Sequence, residues 1–163
     1  MLTDAFQPDD DGYIRHWVHT GARMTPYEGS ESDESSLRAQ IVRDVSTAPA
    51  MASLGGPAPD GMTWRFHFPG RNTYVDQGAF HHRLGHLSLF ASTLIVSNKF
   101  QEIPVRLWTA NTIDLWQDQQ HRIRYTRTNR KKASASPTFV LTLKPGQNRI
   151  SIQVQEIDRK SVV

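Results

Sequence analysis

Apolar and polar residues alternate with a period of two over much of the chain, the mark of strands with one buried face. GYIRHWVHTG sets Tyr13, Arg15 and Trp17 against Ile14, His16 and Val18 and closes on Gly21, which predicts a first strand. Residues 62–68 set Trp64, Phe66 and Phe68 against Arg65 and His67, then stop at Pro69-Gly70. LSLFASTLIVS, residues 87–97, is a nearly continuous apolar run, as expected of a central strand covered on both faces. Further strands are predicted over residues 103–110, 113–116 and 122–128. FVLTLKPGQNRISIQVQEI then carries two alternating strands, Phe139/Leu141/Leu143 and Ile150/Ile152/Val154. Between them Pro145 and Gly146 suit the central positions of a type II turn, where glycine supplies the positive φ.

A helical period intrudes once. Ser32 or Asp33 is placed to cap a short helix with Leu37, Ile41 and Val45 on one face. Residues 46–62 are rich in Gly and Pro and read as a long connection. Strands at hairpin spacing with one short N-terminal helix predict an all-β fold, an antiparallel β-sandwich of jelly-roll type. Residues 1–12 are expected to be a flexible N-terminus and residues 13–157 a single sandwich domain. Residues 158–163, DRKSVV, break the alternation and are expected to be a non-native or truncated tail, with the native protein continuing past Ile157.

Composition narrows the function classes. A chain of 163 residues suits one domain that buries roughly 70% of the surface exposed when unfolded. Aromatic residues make up 9%, so much of the core must be aromatic. There is no cysteine, which excludes disulfides and thiolate metal sites. MLTDAFQPDDDGY has neither the basic nor the apolar region of a signal peptide, and no apolar run is long enough to span a bilayer, so a cytoplasmic protein is expected. The net charge of +3 is uneven: nine acids and four arginines give residues 1–44 a charge of −5, leaving +8 beyond them. An acidic arm beside a basic body favours self-complementarity over a polyanion partner.

Two stretches carry a family resemblance. LWTANTIDLW (107–116) followed by LTLKPGQNRISIQV (141–154), with YIRHWVHTG (13–21) as opening strand, resembles the jelly-roll accessory modules of bacterial glycoside hydrolases. Such modules accompany α-L-rhamnosidases, other six-hairpin glycosidases and galactosidase-type enzymes. The resemblance implies a non-catalytic, carbohydrate-associated sandwich whose partner is a downstream catalytic domain of the same chain, with glycan as a further contact. One turn departs from the pattern: Gln117-Asp118-Gln119-Gln120 stands where these modules place Asn-Gly. Without glycine a tight two-residue turn is disfavoured, so a longer loop is expected and the Asn contact is not carried over.

Candidate binding residues follow. Trp108 and Trp116 either offer an indole platform to a sugar ring or fill the core, and large aromatics usually do the latter. Thr109, Asn111 and Asp118 would form a polar rim beside them. Arg122, Arg124, Arg127, Arg130, Lys131 and Lys132 make a basic ribbon suited to an anionic polysaccharide or nucleic acid, although Arg122 and Arg124 alternating with Ile123 and Tyr125 also describe a half-exposed strand. No recognised nucleic-acid motif accompanies the ribbon, so nucleic acid is not expected as the partner. HHRLGH (81–86) places His81 and His82 on opposite faces of a strand, and no metal or cofactor is expected. Asp76 and Asp114 are the carboxylates a hydrolase would use, yet no spacing pairs them across a cleft.

Overall fold

The computed structural model describes residues 12, 14, 16–21, 23–26, 56–66, 85–107, 112–125 and 138–158. The helix expected after Ser32 lies outside them. Among the described residues nine strands form two antiparallel sheets, and none of the helices could cross a membrane. The strands are β1 (Val18–His19), β2 (Arg23–Pro26), β3 (Arg65–Phe66), β4 (Gly85–Ser97) and β5 (Gln101–Arg106), then β6 (Thr112–Gln117), β7 (Gln120–Tyr125), β8 (Thr138–Leu143) and β9 (Gly146–Asp158). The large sheet runs β3-β1-β4-β9-β6-β7, with β2 also on β4; the small sheet is β5-β8.

β9 is the spine. It pairs with β4 from Gly85↔Asp158 to Ser97↔Gly146, and its other edge pairs with β6 from Thr112↔Gln155 to Gln117↔Ile150. β1 and β2 share the remaining edge of β4, and the register slips by one residue between His19↔Ala91 and Arg23↔Ser88. Gly21 supplies the positive φ (75°) at that slip. Thr20 bridges it, its N–H donating to Phe90 O (2.9 Å) and its hydroxyl accepting from Phe90 N (3.1 Å).

The two sheets bury a core between them. Ile95, Leu115 and Ile150 of the large sheet meet Leu141 and Leu143 of the small one, with Ile103, Val105 and Phe139 packed alongside. Gln117 adds a polar tie, its Nε2 donating to Thr142 O at 2.7 Å. The molecule is therefore an antiparallel sandwich of two sheets. Since Leu115 and Ile150 face the small sheet, the pleat turns Asp114, Trp116, Ser151 and Gln153 to the opposite side.

Two expectations about turns change. Pro145-Gly146 does end β8 with a positive φ at Gly146 (95°), but the two flanking strands are not partners. The turn is a corner that carries the chain from the small sheet to the large one. Asn148, wholly buried, holds it: Oδ1 accepts from Lys144 N (3.0 Å), and Nδ2 donates to Lys144 O (2.9 Å) and Gly146 O (3.2 Å).

The second change is at Gln117–Gln120, where a tight two-residue turn replaces the longer loop expected from the missing glycine. Asp118 and Gln119 take positive φ of 48° and 72°. Aspartate tolerates this region better than most residues, and long-range bonds hold it there. Asp118 N donates to Arg149 O and Asp118 Oδ1 accepts from Arg149 N, both at 2.9 Å, while Lys144 Nζ lies 3.0 Å from Oδ2.

Candidate functional site

The chemistry gathers on the face of the large sheet turned away from β5-β8. Side chains there align in rows across the strands. Phe90, Gln153, Asp114 and Arg124 form one row, and Ser92, Ser151, Trp116 and His121 form the next. An antiparallel sheet usually turns the polar half of its alternation to water. Here Ser88, Ser92, Ser151, Gln153 and Gln155 are all buried.

A β-bulge assembles the charged end of this layer. Leu115 pairs with Ile123 but Trp116 pairs with His121, so Arg122 has no counterpart on β6. In unbroken alternation His121 and Arg124 would point to opposite faces. The extra residue turns His121 onto the face of Arg124, as bulges characteristically re-aim a side chain. Both then reach Asp114. Its carboxylate is 0% exposed and accepts from Arg124 Nε (2.8 Å) and His121 Nε2 (2.9 Å) at Oδ1, and from Arg124 Nη2 (2.9 Å) at Oδ2. The His121 ring also meets the Trp116 indole edge-on, with centroids 5.5 Å apart.

This arrangement is a neutralised anion rather than an acid–base pair. Two-point contact with a guanidinium satisfies both carboxylate oxygens, and a buried carboxylate needs that compensation. Accessibility rises toward the sheet edge, from 0% at Asp114 through 15% at Arg124 to 31% at His121. Arg122, the bulged residue, is exposed.

Each residue singled out in the sequence can now be placed. Trp116 is buried on the polar-layer face, outside the inter-sheet cluster. Asp118 sits at the tip of the β6–β7 turn with its carboxylate engaged by Arg149 N and Lys144. Arg122 and Arg124 differ in environment, the first exposed and the second bound to Asp114. Trp108, Thr109, Asn111, Arg127, Arg130, Lys131, Lys132, Asp76, His81 and His82 lie outside the described residues. His86 meets Gln155 Oε1 at 2.9 Å, and among the described residues no three His, Cys, Asp or Glu side chains converge as metal ligands would.

Sequence reasoning missed His121, Ser88, Ser92, Ser151 and Gln153. The available signal was the Ser/Gln half of the ISIQVQ alternation (150–155) in β9 and the serines within the apolar run of β4. Two polar atoms of the large sheet, Gln153 Oε1 and Arg149 Nη1, are buried with no hydrogen-bond partner. Comparison with protein-family models, with curated proteins and with solved structures finds no match to this chain.

Proposed function

We propose that this chain is a non-catalytic, carbohydrate-associated accessory module, a jelly-roll-type sandwich belonging to a larger, cytoplasmic glycoside hydrolase-like protein. The observation that carries this reading is the state of Asp114. Among the described residues it is the most deeply buried carboxylate, and Arg124 and His121 occupy its oxygens. A glycosidase acid or nucleophile instead needs a second carboxylate across a cleft and a face open to the sugar. The sandwich thus serves as a rigid body that packs beside a catalytic domain and shapes the rim of its cleft. Phe100 and Val96, large apolar side chains exposed at the β4–β5 connection, supply contact surface for such packing.

The test is the genomic reading frame beyond Ile157. A helical barrel pattern downstream is the expected result. A stop codon directly after Val163 would overturn the reading.

A second reading, a free-standing binder of anionic polymers through residues 122–132, draws on exposed Arg122 at the edge strand. Arg124 counts against it, because its guanidinium is committed to Asp114. Retention on heparin that falls steeply between 50 and 200 mM salt, as phosphate- or sulfate-type contacts require, would establish this alternative. Elution at low salt is the expected outcome.

A further inference from the structure

The two-stranded layer keeps one side uncovered. Ile103, Val105, Phe139, Leu141 and Leu143 turn inward to the core. Alternation therefore sends Glu102, Pro104 and Arg106 of β5 outward, together with Thr138, Val140 and Thr142 of β8. All six are exposed, and Val140 keeps 50% of its surface open to water. The register sets them in three rows across the pair: Glu102 with Thr142, Pro104 with Val140, and Arg106 with Thr138. An apolar row thus lies between two polar ones, and burying it is favourable if the flanking charges find partners.

The charges fit a second copy of the same face. Glu102 and Arg106 stand two residues to either side of Pro104, with about 13 Å of strand between them. A two-fold axis crossing the strands along the Pro104–Val140 row reverses the strand direction about that row. It brings the partner's Arg106 over Glu102, and the partner's Glu102 over Arg106. Pro104 and Val140 then meet their own counterparts on the axis, and Thr138 stands over the partner's Thr142. An axis along the strands would instead lay β5 over β8 and leave both charges facing threonines. The cross-strand axis gives the self-match that an isologous interface requires. Arg106 is also engaged within its own chain, and a guanidinium with five N–H donors can serve a carboxylate besides. Joining the sheets by their edges is a poorer route, because Pro104 offers no N–H to a strand added along β5.

We propose that the outer face of β5-β8 is a self-association surface. Two copies of this chain pack face to face there, with Glu102 and Arg106 in reciprocal ion pairs around a Pro104–Val140 centre. The face is about 20 Å long and two strands wide, smaller than the roughly 800 Å² per partner of a standard interface. The dimer is therefore weak and forms as concentration rises. It needs nothing from the accessory-module reading, since every residue it uses lies on the small sheet.

The experiment is sedimentation equilibrium of the 163-residue chain over roughly 10 µM to 1 mM, the span in which a small interface populates a dimer. The average mass should climb from that of a monomer toward that of a dimer. Glu102→Arg sets like charges against each other at both ion pairs, and so does Arg106→Glu. Each variant alone should self-associate about tenfold more weakly or worse, since facing like charges oppose docking. Its melting temperature should stay near the parent's, because both positions are exposed. An equimolar mixture of the two variants should associate again, because every pair between them then joins opposite charges. Val140→Lys puts two like charges on the axis and should also abolish the dimer, which covers a charge reversal that fails to fold. A chain that stays monomeric throughout the range would overturn the proposal. So would a dimer indifferent to all three substitutions, or a mixture that stays monomeric while the parent associates. The reading frame beyond Ile157 bears only on the accessory reading.

Discussion

At the scale of single residues, the most consequential contact is between Asp114 and Arg124. Removing one partner of a buried ion pair leaves a bare charge, which typically costs about 3–5 kcal/mol. Arg124→Ala should therefore lower stability by about that amount in urea denaturation, whereas Asp114→Leu combined with Arg124→Leu should cost clearly less. Equal losses in the single and double variants would show that the pair is not what stabilises this edge. Asn148 makes a comparable case without charge. Its wholly buried amide satisfies the corner that joins the sheets, and deleting it removes the partner of part-buried backbone groups of Lys144 and Gly146. Asn148→Ala should cost about 1–2 kcal/mol, the lower part of the usual penalty for unsatisfied groups because water reaches this corner, read as a shift of the denaturation midpoint. Neither role was legible in the sequence. Asp114 looked like a scattered carboxylate because its partners lie seven and ten residues away across a bulge, and no pattern in QDQQHRIRY announces the extra residue.

At the scale of elements, strands were legible and their partners were not. A period of two tells which residues share a face but is silent on which strand lies alongside. The apolar run of residues 87–97 forms the covered strand its pattern predicts, and Gly146 is the positive-φ residue of the turn between β8 and β9. The strands on either side of that turn nevertheless separate into different sheets, because Leu141 and Leu143 complete the core only from the opposite layer. The β6–β7 turn shows local preference yielding to distant contacts. Its missing glycine argued for a longer loop, yet Asp118 is fixed from 31 residues away by Arg149. Gln119, exposed at the tip of the turn, holds φ at 72°. Gln119→Gly should therefore stabilise the protein by about 1 kcal/mol, the usual cost of a left-handed conformation, whereas Asp118→Gly should not, since it forfeits the bonds to Arg149 and Lys144. Gly146→Ala tests the same point in reverse. An added Cβ would meet nothing within 4 Å, so its destabilisation should be that of the backbone alone, about 1–2 kcal/mol.

At the scale of the whole molecule, the two sheets are unequal, and so is their protection. β9 is hydrogen-bonded on both edges, while β5 and β8 form a two-stranded layer. Hydrogen exchange should find the slowest amides at the centre of β9 and β4, released only by global unfolding, with β5 and β8 faster. Uniform rates across both sheets would contradict this hierarchy. The sandwich itself could be anticipated from strand spacing and from aromatic and apolar alternation. The enclosed polar layer could not, because Ser151, Gln153 and Gln155 carry the same alternation as any solvent-facing set.

The spine of the large sheet is also the latest of its strands to leave the ribosome. Among the described strands, β4 and the β6–β7 hairpin are joined in the sheet through β9, so until residue 158 has emerged they are two fragments with unpaired edges. At the ordinary pace of translation, 5–20 residues per second, the nascent polypeptide spends several seconds with β4 awaiting its neighbour. Chaperone dependence should accordingly peak while residues 98–145 are being made, and vanish once the final ladder zips shut.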